Sequence, residues 1–476
     1  MTVKEIKETA SKDKKEIEID FDLLDHEITK LRPISVIDGK AWILVYLSAK
    51  MNVKGKTMNV QYNNYPYFVT SKKELLNVLV DNNLKQRFQM PDFMVGENVR
   101  WHITDIQHYL STNVKVDLKS LFEKTVKTTS SLVELKTNDH TNVYALWPIG
   151  TYFYRLFPYY PMLDFTGSKG SGKTKALSAL ECLCYNAIMS SKISGPYWAR
   201  AVESSNSTIL IGEQEELTNP KTEHAQNLKT LIHTAFKTDA QYPILVQSKA
   251  LGWITKKFDV GVPVALSHIS LLNDVTADRV IPMPMIKSVN KAITDNEVKA
   301  DDPIWWALRD GYYRAFLDYH SEVITISKES SMLDYLSGRE RSQLWKPIIV
   351  LAKLFERHGV EGLIESVLRL VKETHESKRV TNQSQNIDVQ IIEYLSDTIP
   401  RGLFVPFDNE KNKHWYQQQD LLDAIHRNLG LQYLSSRSLG GILDRLQIPR
   451  MKKNPNNMCF FVTEEMLTKL RERYNL

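Results

Sequence analysis

The residues with the clearest chemical purpose lie between 167 and 174, in the order Gly-Ser-Lys-Gly-Ser-Gly-Lys-Thr. The pattern G-x-x-x-x-G-K-[ST] is built to hold phosphate: glycines let the chain curl until its N–H groups face inward, and the following helix start adds a favourable dipole. On this reading Gly167, Ser168, Lys169, Gly170, Ser171 and Gly172 form the cradle for ATP. Lys173 reaches the β- and γ-phosphates, and the Thr174 hydroxyl ligates Mg²⁺.

Hydrolysis needs acids as well. Downstream, the strand candidate "TILI" (208–211) runs into Gly212, Glu213, Glu215 and Glu216. In nucleotide-hydrolysing sites an acid at such a strand tip holds Mg²⁺ through water, and the next acid polarises the attacking water. Gly212 stands where the first acid, an Asp, is expected. Glu213 is therefore the candidate base, and Glu215 or Glu213 itself the candidate metal ligand; a solvated acidic loop is the bland alternative.

These residues require a frame of alternating strands and helices. An apolar stretch, "YYPML", precedes the loop and "SALECLCYNAIM" follows it with helical character. From 150 to about 290, short β-branched or aliphatic runs alternate with helical segments, which predicts an α/β nucleotide-binding core. Residues 300 to 375 are expected to be helical almost throughout. Upstream, "AWILVYLSAKM" and "KTMNVQYNNYPYFV" predict strands, and "SKKELLNVLVDNN" predicts a Ser-capped helix. The organisation expected is a charged tail (1–18), an α+β domain (19–140), the α/β core with the helices that follow it (141–373), a polar linker (374–387) and a small C-terminal module (388–476).

Composition sets outer limits. Hydrophobic residues at 42% and charged residues at 25% describe an ordinary globular chain, and a net charge of +5 excludes a polycation. Residues 401–476 nevertheless hold 12 Lys/Arg against 8 Asp/Glu, which concentrates most of the excess there. Cys182, Cys184 and Cys459 are too few for a disulfide framework or zinc site, so a reducing, cytoplasmic location is expected. Neither an export signal nor a membrane span is expected. The pair Asp20 and Asp22 lacks the further ligands a two-metal site needs and is best taken as a solvated turn.

Between the acidic strand and the next apolar strand, "YPILVQSKALGWITKKFDV" (242–260) predicts a β-hairpin with Lys249 near its tip and Lys256 and Lys257 on the returning arm. The C-terminal module shows helix, turn, helix, a basic segment and a short strand "MCFFV". Ser435 or Ser436 caps its second helix, and Leu439, Ile442, Leu443 and Leu446 form that helix's buried stripe. This is a winged-helix layout, with Arg437 and Arg445 on the exposed side and Arg450, Lys452 and Lys453 on the wing, all candidate DNA contacts.

Over residues 140–375, and more loosely at the C-terminus, the order of segments resembles AAA+ ATPases of replicative helicases from archaeal plasmids and viruses, relatives of minichromosome-maintenance and superfamily 3 helicases. The segments that carry it are the phosphate loop, "GPYWARAVESSNSTILIGE", "KKFDVGVPVALSHISLLNDVTADRVIPMPM" and "GRERSQLWKPIIVLA". The resemblance implies a sensor residue at Ser267 or His268, where the family more often has Asn. It implies an arginine finger at Arg279 acting across a subunit boundary, with a local pair to Asp278 or Asp274 as the alternative. It also implies a second sensor arginine at Arg341 or Arg339 and a pore hairpin at 242–260. A homo-oligomeric, hexameric ATP-dependent motor on single-stranded or forked DNA is the function implied; an ATP-switched replication initiator without unwinding is the alternative.

Overall fold

The computed structural model describes residues 29–50, 62–90, 98–190, 193–212, 222–248, 252–268, 278–329, 343–385, 387–410, 413–454, 457–474 and 476. They fall into two compact units, divided between Val371 and Lys372. Asp20 and Asp22 lie outside the described residues.

The first unit opens with an antiparallel meander of β1 (Ile34–Ile37), β2 (Lys40–Lys50), β3 (Tyr62–Thr70) and β4 (Leu75–Asn77). The apolar run of β2 has a two-sided purpose. Ile43, Val45 and Leu47 join the main hydrophobic cluster of the unit, while Trp42, Leu44 and Tyr46 alternate to the other face and pack with Phe68, Leu84 and Phe88. The meander therefore shares a core with the residues that follow, and the boundary expected at 140 does not separate two cores.

The predicted helix "SKKELLNVLVDNN" is a correction. Leu75 and Leu76 pair with Val69 and Phe68 on β3, and Glu74 accepts a hydrogen bond from Thr70 and pairs with Lys40. An open sheet edge beside these residues outweighed their helical propensity. Helices α1 (Ile103–Ser111), α2 (Leu118–Ser130) and α3 (Asn138–Gly150) lead into the α/β core.

That core has β5 (Met162–Thr166), α4 (Lys173–Leu183), β6 (Ile188–Ser190), α5 (Gly195–Ser205), β7 (Ile209–Ile211), α6 (Glu223–Ala235), a hairpin of β8 (Gln241–Ser248) and β9 (Gly252–Asp259), β10 (Val264–His268) and β11 (Val280–Pro284). Five of these strands form a parallel sheet in the order β11-β5-β10-β7-β6. β7 and β10 are buried along their whole length, as strands covered on both faces must be. Counted from β5, the order is 5-1-4-3-2, so the strand of the phosphate loop lies between the last and the fourth.

Long helices α7 (Pro303–Lys328) and α8 (Lys346–Arg357) follow. Helix α9 (Leu363–Gln385) covers most of the stretch expected to be a linker, 374–387. That stretch holds no Gly or Pro to break a helix already begun at Leu363, so having little to bury did not prevent its continuation.

In the second unit, α10 (Ile387–Thr398), α11 (Gln418–Asn428), α12 (Ser436–Arg445) and α13 (Glu464–Tyr474) surround a sheet of β12 (Asp408–Glu410), β13 (Lys413–Gln417), β15 (Asn457–Phe461) and β14 (Arg450–Asn454), in that spatial order. Ser435 caps α12, its side chain accepting from the Ser438 N–H at 3.1 Å, and Leu439, Ile442, Leu443 and Leu446 are buried. Among the described residues no helix is long and apolar enough to cross a membrane.

Candidate functional site

The glycine-rich loop sits between the end of β5 and the start of α4, and its backbone is pinned from outside. The Met285 N–H donates to Thr166 O at 2.7 Å, which lays the continuation of β11 along the loop. A Cβ on Gly167 would stand 2.3 Å from Met285 O and 2.7 Å from Ser171 Oγ, so only glycine fits there. Gly172 has φ of +92° and begins α4, with the Ala176 N–H donating to its carbonyl at 2.9 Å. A side chain at φ near +90° would be strained, which explains this glycine too.

Within the cradle, Ser171 Oγ is buried and has no hydrogen-bond partner among the described residues. Lys173 Nζ folds across the loop and donates to Gly167 O at 2.6 Å and Ser168 O at 2.9 Å. Ser168, Lys169, Gly170 and Thr174 are exposed. An orphaned buried hydroxyl and an ammonium resting on two loop carbonyls fit a triphosphate, whose oxygens would satisfy both.

On the acidic side, β7 ends at Ile211 and Gly212 follows. A Cβ on Gly212 would meet Leu177 at 3.8 Å and Ser267 Oγ at 3.9 Å, which is ordinary contact, so neither crowding nor a positive φ demands glycine. Glu213, Glu215 and Glu216 lie outside the described residues. Ser267 and His268 are consecutive on β10 and project to opposite faces of the sheet. Ser267 is buried beside Gly212, while His268 Nε2 lies 2.5 Å from Asp164 Oδ1 on β5. Burial pushes the Asp164 carboxyl up, and the hydrogen bond and charge of His268 oppose that push. Nothing in the sequence signals this pair, because the partners are 104 residues apart and only the β5-β10 pairing joins them.

Arg279 stands at the head of β11, half-buried, its carbonyl accepting from the Met162 N–H at 3.1 Å. Its charge is felt on α6: His233 is held down at about 4, first by burial, then by Arg279 and Lys229. Asp274, Arg339 and Arg341 lie outside the described residues.

The hairpin expected at 242–260 is present as β8 and β9, paired from Gln241–Asp259 to Ser248–Gly252. Lys249 lies outside the described residues. Lys256 is half-buried with Nζ 5.0 Å from the Phe258 ring centre, whereas Lys257 is exposed. The hairpin's base is held by a cluster of charges that sequence reading missed. Asp259 accepts from Arg32 Nε at 2.6 Å and from Gln241 at 3.2 Å, and lies 3.3 Å from Lys30 Nζ. Glu203 on α5 lies 2.7 Å from the same lysine and accepts from the Asp259 N–H at 3.1 Å.

In the second unit Arg437 and Lys452 are exposed, and Lys453 Nζ lies 4.9 Å from the Trp415 ring centre. Arg445 pairs with Asp388 at 2.7 Å. Arg450 is held by Asp444 at 2.8 Å and Gln418 at 3.0 Å, its guanidinium lying over Gly440. These two arginines are committed to partners within the chain.

No protein-family model matches the chain, and no curated protein matches it. Among solved structures it is similar to SCCmec type IV Cch, described as an active helicase, at 11% identity over 93% of this chain and 100% of that one, with a TM-score of 0.43. It is also similar to the NrS-1 C-terminal region at 10% identity, covering 84% of this chain and 94% of that one, with a TM-score of 0.29. Drosophila ORC bound to DNA matches at 11% identity over 76% of this chain and 93% of that one, with a TM-score of 0.21.

Proposed function

We propose that the chain is an ATP-hydrolysing DNA helicase or translocase with a P-loop AAA+ core, helical lid and C-terminal winged helix. It would work as a ring oligomer, a hexamer, on single-stranded or forked DNA in the replication of a plasmid, virus or mobile element. The observation that carries this reading is the glycine-rich loop: a full G-x-x-x-x-G-K-T pattern between an interior parallel strand and a helix, with Ser171 Oγ buried and without a hydrogen-bond partner among the described residues.

In this reading the loop amides and Lys173 hold the β- and γ-phosphates, and Ser267 or His268 and Arg341 contact the nucleotide. Thr174 with Glu213 or Glu215 would hold Mg²⁺, which when bound neutralises phosphate charge. Glu213 takes a proton from the attacking water, and Arg279 places its charge at a neighbouring subunit's site. Lys249, Lys256 and Lys257 on the hairpin, with Arg437, Lys452 and Lys453 in the second unit, face phosphodiester backbone; Arg445 and Arg450 would first have to leave their intramolecular partners.

One observation favours a second reading. Gly212 leaves the strand tip without an acid although a Cβ there would make only ordinary contacts, which suits slow turnover in an ATP-switched initiator. ATPase rate with and without single-stranded DNA, beside unwinding of a forked duplex, separates the two. The motor is expected to be stimulated and to unwind, with Lys173→Ala reducing turnover by about a hundredfold or more. Hydrolysis indifferent to DNA, with no strand separation, would leave the switch.

A further inference from the structure

The two faces of the β8–β9 hairpin are unlike. Directly opposed residues share a face. Tyr242, Ile244 and Val246 form the inward face and pack against the main hydrophobic cluster. The outward face carries Leu245, Gln247, Trp253, Thr255 and Lys257, all exposed, with Leu245 at 64% and Trp253 at 70%. All nine tryptophans of the sequence are among the described residues, and Trp253 alone is exposed. Folding gains nothing from a ring held in water on a face that packs on nothing among the described residues.

Charge says what covers it. Residues 240–258 contain three lysines and no acid, so the ribbon suits a polyanion; Lys257 is on the outward face, whereas Lys256, opposite Ile244, is on the inward one. Along β9, Trp253 and Lys257 are four residues apart on one face, about 13 Å. An exposed aromatic ring and an ammonium in line suit a strand that offers flat apolar bases as well as phosphates. We infer that the outward face of this hairpin binds the bases of an unpaired nucleic-acid strand, with Trp253 as the stacking platform and Lys257 on the backbone. This rests on the nucleic-acid reading above and goes past it: the grip includes bases, so duplex and backbone alone are poor ligands.

The test compares an oligodeoxythymidylate with an abasic strand of equal length, without nucleotide, by anisotropy of the labelled strand. The wild-type chain is expected to prefer the strand with bases and to lose tryptophan emission on binding it. Trp253→Ala should weaken that strand by between about fivefold and a hundredfold and leave the abasic strand unchanged. Trp253→Phe should keep most of the preference, and Lys257→Ala should weaken both strands alike. An exposed side chain leaves thermal unfolding unmoved, which verifies that each variant is folded.

Three outcomes overturn the inference: Trp253→Ala binding both strands like the wild type, Trp253→Ala weakening both equally, or Trp253→Ala changing the oligomeric state with the preference intact, which would assign the face to a second copy. Because no nucleotide is present, the assay separates the two readings. A chain that prefers bases but hydrolyses nothing keeps this inference and loses the motor; one that hydrolyses ATP and ignores bases does the reverse.

Discussion

At the scale of single residues, the site divides into groups whose roles are local and groups whose roles depend on partners far along the chain. The phosphate loop is local: eight consecutive residues specify a shape, and Gly167 and Gly172 are explained by a 2.3 Å approach and a positive φ. Arg279 is the other kind, since its charge acts on His233 of α6. His233 reports on it. The ring stays neutral in the folded protein down to about pH 4, while an ordinary imidazole charges near 6.5. Between those values the unfolded chain binds more protons, so this contribution to stability is present above about pH 6.5 and is lost as pH falls towards 4. Removing the guanidinium in Arg279→Ala should raise the His233 midpoint but not restore it fully, because burial is the larger cause. A proton-NMR titration of His233 measures both midpoints; an unmoved midpoint would place Arg279 elsewhere.

At the scale of elements, the hairpin is held at its base by Asp259, Arg32, Lys30 and Glu203 and along its inward face by Tyr242, Ile244 and Val246. Burial pushes the Asp259 carboxyl up, but the hydrogen bond and charge of Arg32, with the charge of Lys30, pull it below the ordinary value overall. A depressed carboxylate contributes stability above the ordinary carboxylate range and loses it as pH falls through the folded value. Asp259→Asn should therefore destabilise the protein by about 2–4 kcal/mol at neutral pH, since a buried ion pair is broken from one side, and should flatten the acid limb of the stability curve. Urea unfolding across pH tests this; an unchanged acid limb would mean that other carboxylates set it. The hairpin itself was legible because its pairing is local. The cluster was not, because Arg32 and Asp259 are 227 residues apart. The same distinction explains the misread stretch "SKKELL", which has a helix pattern but lies beside an open strand. The polar stretch after 374 has linker composition and continues the helix begun at Leu363.

At the scale of the whole molecule, the decisive question is whether a site is completed by one chain or two. In the proposed ring each interface is heterologous, so one subunit supplies the phosphate loop and Glu213 while its neighbour supplies Arg279. That geometry makes a mixing experiment quantitative. Glu213→Gln subunits lack the base, Arg279→Ala subunits lack the finger, and each variant alone should be inactive. In an equal mixture, an intact site forms wherever an Arg279→Ala subunit receives its finger from a Glu213→Gln neighbour, which random assembly produces at about a quarter of interfaces. ATPase activity should therefore recover to about a quarter of the wild-type rate if sites fire independently, and to less if firing must pass around the ring. The controls are co-assembly of the two variants, followed by differently tagged chains, and an equal mixture of Lys173→Ala with Glu213→Gln, which lack groups of the same half-site and should stay inactive. Should the first mixture also stay inactive while the tags show mixed assemblies, Arg279 serves its own chain or none, and the trans-acting ring gives way to the ATP-switched reading.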